Sequence, residues 1–183
     1  MIRDWPIINR ELIGDFKLFS LNKKKVRSPR TGEVREVQTL HFPDWVLVLA
    51  ITPQEEVVMV RQYRHGTEQV CLELPGGLVD AADDSPEISA RRELLEETGY
   101  QANEIKLVGE CCPQPAILTN KCLFYLAPDA VRVQTQNLDA GEDIEILEIP
   151  LKEIPLKIKS AEIDHGMVLL AFFFFWMKQG QIG

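Results

Sequence analysis

The sequence predicts a mixed-sheet α/β fold, an α/β/α sandwich with an antiparallel β extension at its N-terminus. Three observations carry that expectation. Short apolar runs of strand character flank one sharply delimited helix, a second helix closes the chain, and the first 42 residues read as strands about a turn. The chain has 183 residues, 45% of them hydrophobic, enough for one sizeable core and a small appendage. Residues 1–42 are assigned to the β extension and 43–183 to the main domain.

Taken in order, "DFKLFSLNKKKVRSPRTGEVREVQTLHF" holds two alternating stretches about the turn signal "SPRTGE". The basic cluster Lys23, Lys24, Lys25, Arg27 and Arg30 is placed at that turn as solvated charge. "WVLVLAIT" and "EVVMVRQYR" read as buried strands joined by "PQEE", and "VCLELP" as a third. After the central helix come "IKLVGECC", "KCLFYLAP" and the late strand "DIEILEIPL", then a final helix over Ser160–Met177. Its run "MVLLAFFFFWM" is eleven apolar residues. A membrane span needs about 20, so a buried helix is expected and no membrane partner.

Composition excludes several classes. The formal charge of −8 argues against a nucleic-acid partner held on a basic face. An anionic substrate would need local cations, arginines or metal ions. Cys71, Cys111, Cys112 and Cys122 form no C-x-x-C, and His41, His65 and His165 are scattered, so no zinc pattern arises. Reduced thiols and an N-terminus without an apolar leader core suggest a cytoplasmic protein.

The central helix is the chemical signal. Ser85-Pro86-Glu87 supplies a capping hydroxyl, a proline at the first helical position and an acid at the positive end of the dipole. Gly99 is a natural stop. Between them Glu93 and Glu97, four apart, stack on one face with Glu96 beside them, and Arg92 can neutralise only part of the cluster. Charge pattern alone leaves two readings level: a solvated acidic face, or a nest of hard oxygen ligands for Mg2+ or Mn2+. The preceding "ELPGGLVD" favours the second, because Pro-Gly-Gly lets the backbone pass close to the helix and a main-chain carbonyl could complete the oxygen shell.

From Arg92 to Tyr100, "RELLEETGY" resembles the second half of the Nudix box position by position. The resemblance implies a strand-loop-helix that binds divalent metal and hydrolyses a nucleoside diphosphate linked to another moiety. Gly77, Asp84, Arg92 and Gly99 fall on the structural positions of the box. Asp84 stands where the family usually has glutamate, and six residues separate it from Gly77 where five are usual.

Beyond the box the chain is similar to the ADP-ribose pyrophosphatase branch of the Nudix hydrolases over roughly residues 44–178. That resemblance implies Glu93, Glu97 and the Gly76 carbonyl as metal ligands for two or more Mg2+ or Mn2+ ions, with Glu96 bridging or behind them. It implies Arg64 on the substrate phosphates and Pro115 as a marker of the branch. Glu142, in "AGEDIEILEI", would be the catalytic base or water-orienting residue; Glu145 lies between two isoleucines and should face solvent. Phe16 and Phe19 are stacking candidates for a base, with ordinary packing as the alternative for either. Pro115-Ala116 replaces the usual Pro-Gly, and Asn120 falls where many members carry glutamate. The expected reaction is ADP-ribose to AMP and ribose 5-phosphate. Another nucleotide sugar or dinucleotide is the alternative, then a non-catalytic Nudix-like binding domain. The branch also implies a homodimer in which segment 1–42 meets a partner subunit.

Overall fold

The computed structural model describes residues 2–181. They fall into two compact units. One is the chain up to Pro43 with Cys112–Lys121; the other is Asp44–Cys111 with the chain from Cys122 onward. The stretch 112–121, assigned from sequence to the main domain, thus packs with the N-terminal unit.

In the first unit β1 (Ile7–Asp15), β2 (Ser20–Arg27) and β3 (Val34–His41) form an antiparallel sheet in the order β1-β2-β3. Sequence reading marked two alternating stretches here and missed β1. Nearly every β1 residue is exposed, so no apolar alternation marks it. The lysines are also corrected. Lys23, Lys24 and Lys25 lie inside β2, not at the turn, where Glu11 of β1 meets Lys23 at 3.1 Å and Glu36 of β3 meets Lys25 at 3.7 Å. Opposite charges across neighbouring strands let the basic run be a strand. The turn itself is held by Ser28, whose Oγ accepts from the amides of Arg30 and Thr31 at 3.3 and 3.2 Å. Leu118 bridges Leu40, which attaches 112–121 to β3.

The second unit contains β4 (Trp45–Ala50), β5 (Glu56–Arg64), β6 (Gln69–Glu73), β7 (Gly76–Leu78), α1 (Pro86–Thr98), β8 (Tyr100–Gln101), β9 (Lys106–Cys111), β10 (Cys122–Ala127), β11 (Val131–Arg132), β12 (Ile144–Pro150), α2 (Ile154–Lys159) and α3 (Gly166–Lys178). One sheet runs β7-β4-β10-β9, with β4 and β10 parallel and the other pairs antiparallel. A second runs β12-β5-β6, all antiparallel, and β11 pairs with β8.

Alternation along β4 explains the layering. Val46, Val48 and Ala50 join Ala90 and Leu94 of α1 in one core, whereas Leu47 and Leu49 join Val168, Phe172 and Phe175 of α3 in another. Helices therefore cover opposite faces, and β4 reads as an unbroken apolar run because both of its faces are buried. This is the predicted α/β/α sandwich.

The final helix starts later than expected. Residues 160–165 are not helical, α3 begins at Gly166, and the short α2, unforeseen, occupies Ile154–Lys159. The polar "SAEIDH" has no apolar periodicity with which to extend the helix. Among the described residues no helix is long and apolar enough to cross a membrane.

Candidate active site

The site grows from the two ends of α1. Ser85 is extended, and its Oγ accepts from the Ile88 amide at 3.4 Å, with Pro86 opening the first turn. At the other end Gly99 adopts φ 73°, and its amide closes on Leu95 O at 2.8 Å. A Cβ there would lie 2.1 Å from Gln134 O, so only glycine fits. With both ends fixed, Leu94 points into the core, while Glu93 and Glu97 share the side nearest β7.

The glycine pair makes that approach possible. Gly76 donates its amide to Glu97 Oε2 at 2.8 Å, and a Cβ on Gly77 would lie 2.6 Å from Glu93 Oε1. The loop backbone therefore lies against both carboxylates. What the structure shows at Gly76 is the amide bond to Glu97; the carbonyl was the group inferred from sequence.

Glu97 is only 4% exposed, and burial pushes its carboxyl up to about 8. The Gly76 amide and Arg64 pull it back, while the negative charges of Glu93 and Glu142 push it further up. Glu93 is also raised, first by burial, against the lowering effect of Arg92. Like charges are being held together in a poorly solvated place, which an added cation would relieve.

Arg92 organises the outer side. Its Nη1 reaches Glu96 Oε2 at 2.9 Å and Glu93 Oε1 at 3.0 Å, and its Nε reaches Asp83 Oδ2 at 3.3 Å. Asp83 also accepts from Ser89 Oγ at 2.7 Å, whereas Asp84 is exposed. Asp83, not Asp84, is thus the acid that meets the box arginine.

Glu142 is exposed on the loop before β12. It is folded onto its own turn, accepting from the Asp139 amide at 2.9 Å, yet its charge is felt by both Glu93 and Glu97. Gln136, which sequence reading passed over, explains the proximity. Its Nε2 donates to Glu97 O at 2.7 Å and Ile144 O at 3.0 Å, and the Asn137 amide reaches Glu96 O at 2.9 Å. The loop is stitched to the last turn of α1. Glu145 pairs with Arg61 at 2.8 Å on the surface, facing away as alternation requires.

Arg64 is half-exposed and carries two parallel bonds to Glu73, Nε to Oε1 at 2.8 Å and Nη2 to Oε2 at 2.7 Å. Glu73 is 1% exposed, a second residue that sequence reading missed. A guanidinium has five N–H donors, so three remain for another anion. A buried carboxylate inside "LELPGG" was the available signal.

Phe16 and Pro115 lie in the first unit. The Phe16 ring packs on Phe19 at 4.9 Å, and Pro115 sits exposed in the turn closed by the Ile117 and Leu118 amides on Gln114 O. Asn120 is buried, its Oδ1 without a partner.

Among the described residues no three His, Cys, Asp or Glu side chains are gathered into a ready-made ion cage. Glu93 and Glu96 are occupied by Arg92 instead. The donor chemistry nevertheless fits a hard divalent cation: oxygen-only groups, one deeply buried, repelling one another.

Residues 41–171 match the NUDIX domain. The ADP-ribose pyrophosphatase of Bacillus subtilis (strain 168) is 28% identical over 173 residues, 94% of this chain and 92% of its own. A GDP-mannose pyrophosphatase of Salmonella arizonae is 33% identical over 132 residues, 68% of each chain. The crystal structure of an ADP compounds hydrolase superposes with a TM-score of 0.85 at 22% identity, covering 100% of this chain and 99% of that one.

Proposed function

Since the chain belongs to the NUDIX domain family, we propose that it hydrolyses the pyrophosphate bond of a nucleoside diphosphate sugar, with ADP-ribose the preferred substrate and AMP and ribose 5-phosphate the products. One observation carries the reading. Two buried or half-buried carboxylates on one helical face, Glu93 and Glu97, are held against a glycine loop with their pKa values raised.

Mg2+ or Mn2+ held by Glu93 and Glu97, with Glu96 and the Gly76 carbonyl as further oxygen donors, would screen the diphosphate and stabilise charge on the oxygens being transferred. Arg64 offers its three remaining N–H groups to phosphate oxygens and cannot swing away, because leaving Glu73 buried and unpaired would cost several kcal/mol, about 3–5. Water attacks one phosphorus, its proton passes to the Glu142 carboxylate, and the bond to the bridging oxygen breaks. Gly76 keeps Glu97 in place through its amide.

The substrate choice rests on the full-length likeness to the ADP-ribose pyrophosphatase. Likeness to GDP-mannose pyrophosphatases supports a second reading, a different nucleotide sugar. Two places could take the base: Phe16, and a cavity beside β7. The four free cysteines suit a reducing, cytoplasmic setting. Ile8, Leu12 and Phe16 are exposed on or just after β1, an edge strand, and support a homodimer formed through segment 1–42.

The test is a product-resolved hydrolysis panel with Mg2+. ADP-ribose should show the highest kcat/KM among ADP-ribose, GDP-mannose, ADP-glucose, NADH and coenzyme A. A clear reversal of that order moves the chain to the second reading.

A further inference from the structure

Cys111, the last residue of β9, and Cys122, the first of β10, stand directly opposite one another in the antiparallel register. Facing residues of such a pair point to the same side of the sheet, and these two do. Cys122 belongs to the core shared with α3, and Cys111 packs against that core. Cα atoms at facing positions lie about 4.5–5.5 Å apart, inside the span of about 4.4–6.8 Å that a disulfide bridges. β9 is the edge of its sheet, so its end can draw closer without disturbing a second strand pair. The other cysteines have no such geometry: Cys71 faces Gln62 across its strand pair, and Cys112 lies outside any strand.

Access differs between the two thiols and sets an order of events. Cys122 is fully buried, and burial, then the charge of Cys111, hold it protonated up to about 12. Cys111 is half-buried, and its Sγ donates to Met167 Sδ at 3.7 Å. A peroxide therefore meets Cys111 first. The Cys111 sulfur attacks one peroxide oxygen and the O–O bond breaks, leaving a sulfenic acid and one water. The Cys122 sulfur then attacks the Cys111 sulfur, the S–O bond breaks, and a second water leaves with the Cys122 proton. Two thiols are oxidised and one peroxide is reduced. A disulfide carries no S–H, so Met167, which lines the cavity beside β7, loses its donor. The bond also joins the two residues at which the chain leaves the second unit and re-enters it, closing 112–121 into a loop.

We propose that Cys111 and Cys122 are a reversible oxidation site for peroxides, closing as a cross-strand disulfide at the base of segment 112–121 and releasing Met167 from Cys111. The site is independent of which nucleotide sugar the chain cleaves.

The test is peptide mapping of the reduced full chain after treatment with hydrogen peroxide, remaining thiols being alkylated on unfolding. The peptides holding Cys111 and Cys122 should appear joined, with about 2 Da lost for the two hydrogens removed, and dithiothreitol should restore both thiols. The oxidised chain should unfold at a higher urea concentration than the reduced one. With the methionine methyls labelled by carbon-13, the Met167 resonance should shift on oxidation and return on reduction. In Cys122→Ser a dione reagent should capture Cys111 as its sulfenic acid; the wild-type map decides the matter if that variant fails to fold. Oxidation confined to Cys112, a bond from Cys112 to either residue, or Met167 sulfoxide with both thiols intact would overturn the assignment. So would a Met167 resonance unmoved by the link, or a link that forms only in unfolding urea.

Discussion

The amide of Gly76 and the carboxylate of Glu97, 21 residues apart in sequence, are joined by a hydrogen bond of 2.8 Å. The same glycine has no room for a side chain, since a Cβ would lie 2.1 Å from Val46 O. Loop and helix can meet only if the strand pairing of β7 with β4 stays this tight.

Gly76→Ala should therefore destabilise the fold by about 3 kcal/mol, the upper range for forcing extra atoms into a packed place, because the obstacle is backbone. Gly66→Ala, where nothing lies within 4 Å, should change stability by less than about 0.5 kcal/mol. Urea unfolding of both variants checks the pair; equal midpoints would show that the β4–β7 approach is looser than described.

Glu142 and Glu145 separate loop chemistry from surface pairing. Glu142→Gln should lower kcat strongly with KM nearly unchanged. Glu145→Gln removes only an exposed partner of Arg61, so turnover should hold and stability should change by about 1 kcal/mol at most. Steady-state kinetics decide; exchanged behaviour would move the proton acceptor elsewhere, with Glu96 next.

Cys122 is buried, and burial pushes its thiol up to about 12, whereas Cys112 is exposed. At pH 8 an alkylating reagent should label Cys112 and leave Cys122 until the protein unfolds. The folded pKa exceeds the ordinary value of 9.0, so the native state keeps the proton longer than the unfolded chain. The stability this contributes is full below about pH 9 and is lost as pH rises toward 12. Mass spectrometry of labelled peptides reads the first part; early labelling of Cys122 in native protein would contradict its burial.

The exposed apolar residues of β1 should be covered by a second copy. Light scattering should give a dimer, and Leu12→Lys with Ile8→Lys should shift it toward monomer at micromolar concentration. A monomeric wild type, still active when diluted to nanomolar concentration, would rule out that role.

The layering was legible because β4 and the C-terminal apolar run are buried on alternating or continuous patterns that a sequence displays directly. The helix bearing Glu93 and Glu97 was legible from its cap, its stop and the four-residue spacing. Other parts were hidden for physical reasons. β1 is exposed almost throughout, so its pattern carries no core-facing signal. Asp83 rather than Asp84 meets Arg92, and two adjacent aspartates in a polar loop carry no pattern that tells which one turns toward the helix. A carboxylate between the leucines of "LELPGG" marked Glu73 but not its partner nine residues away, and nothing in the sequence pairs Gln136 with groups 39 and 8 residues off.

The central claim is that the buried carboxylate face of α1 performs the hydrolysis. Glu97→Gln keeps size and helix preference while removing one ionisable carboxylate from that face. Its kcat on ADP-ribose in saturating Mg2+ should fall at least about 10²-fold, with a cooperative unfolding transition retained. Turnover close to wild type under those conditions would contradict the account.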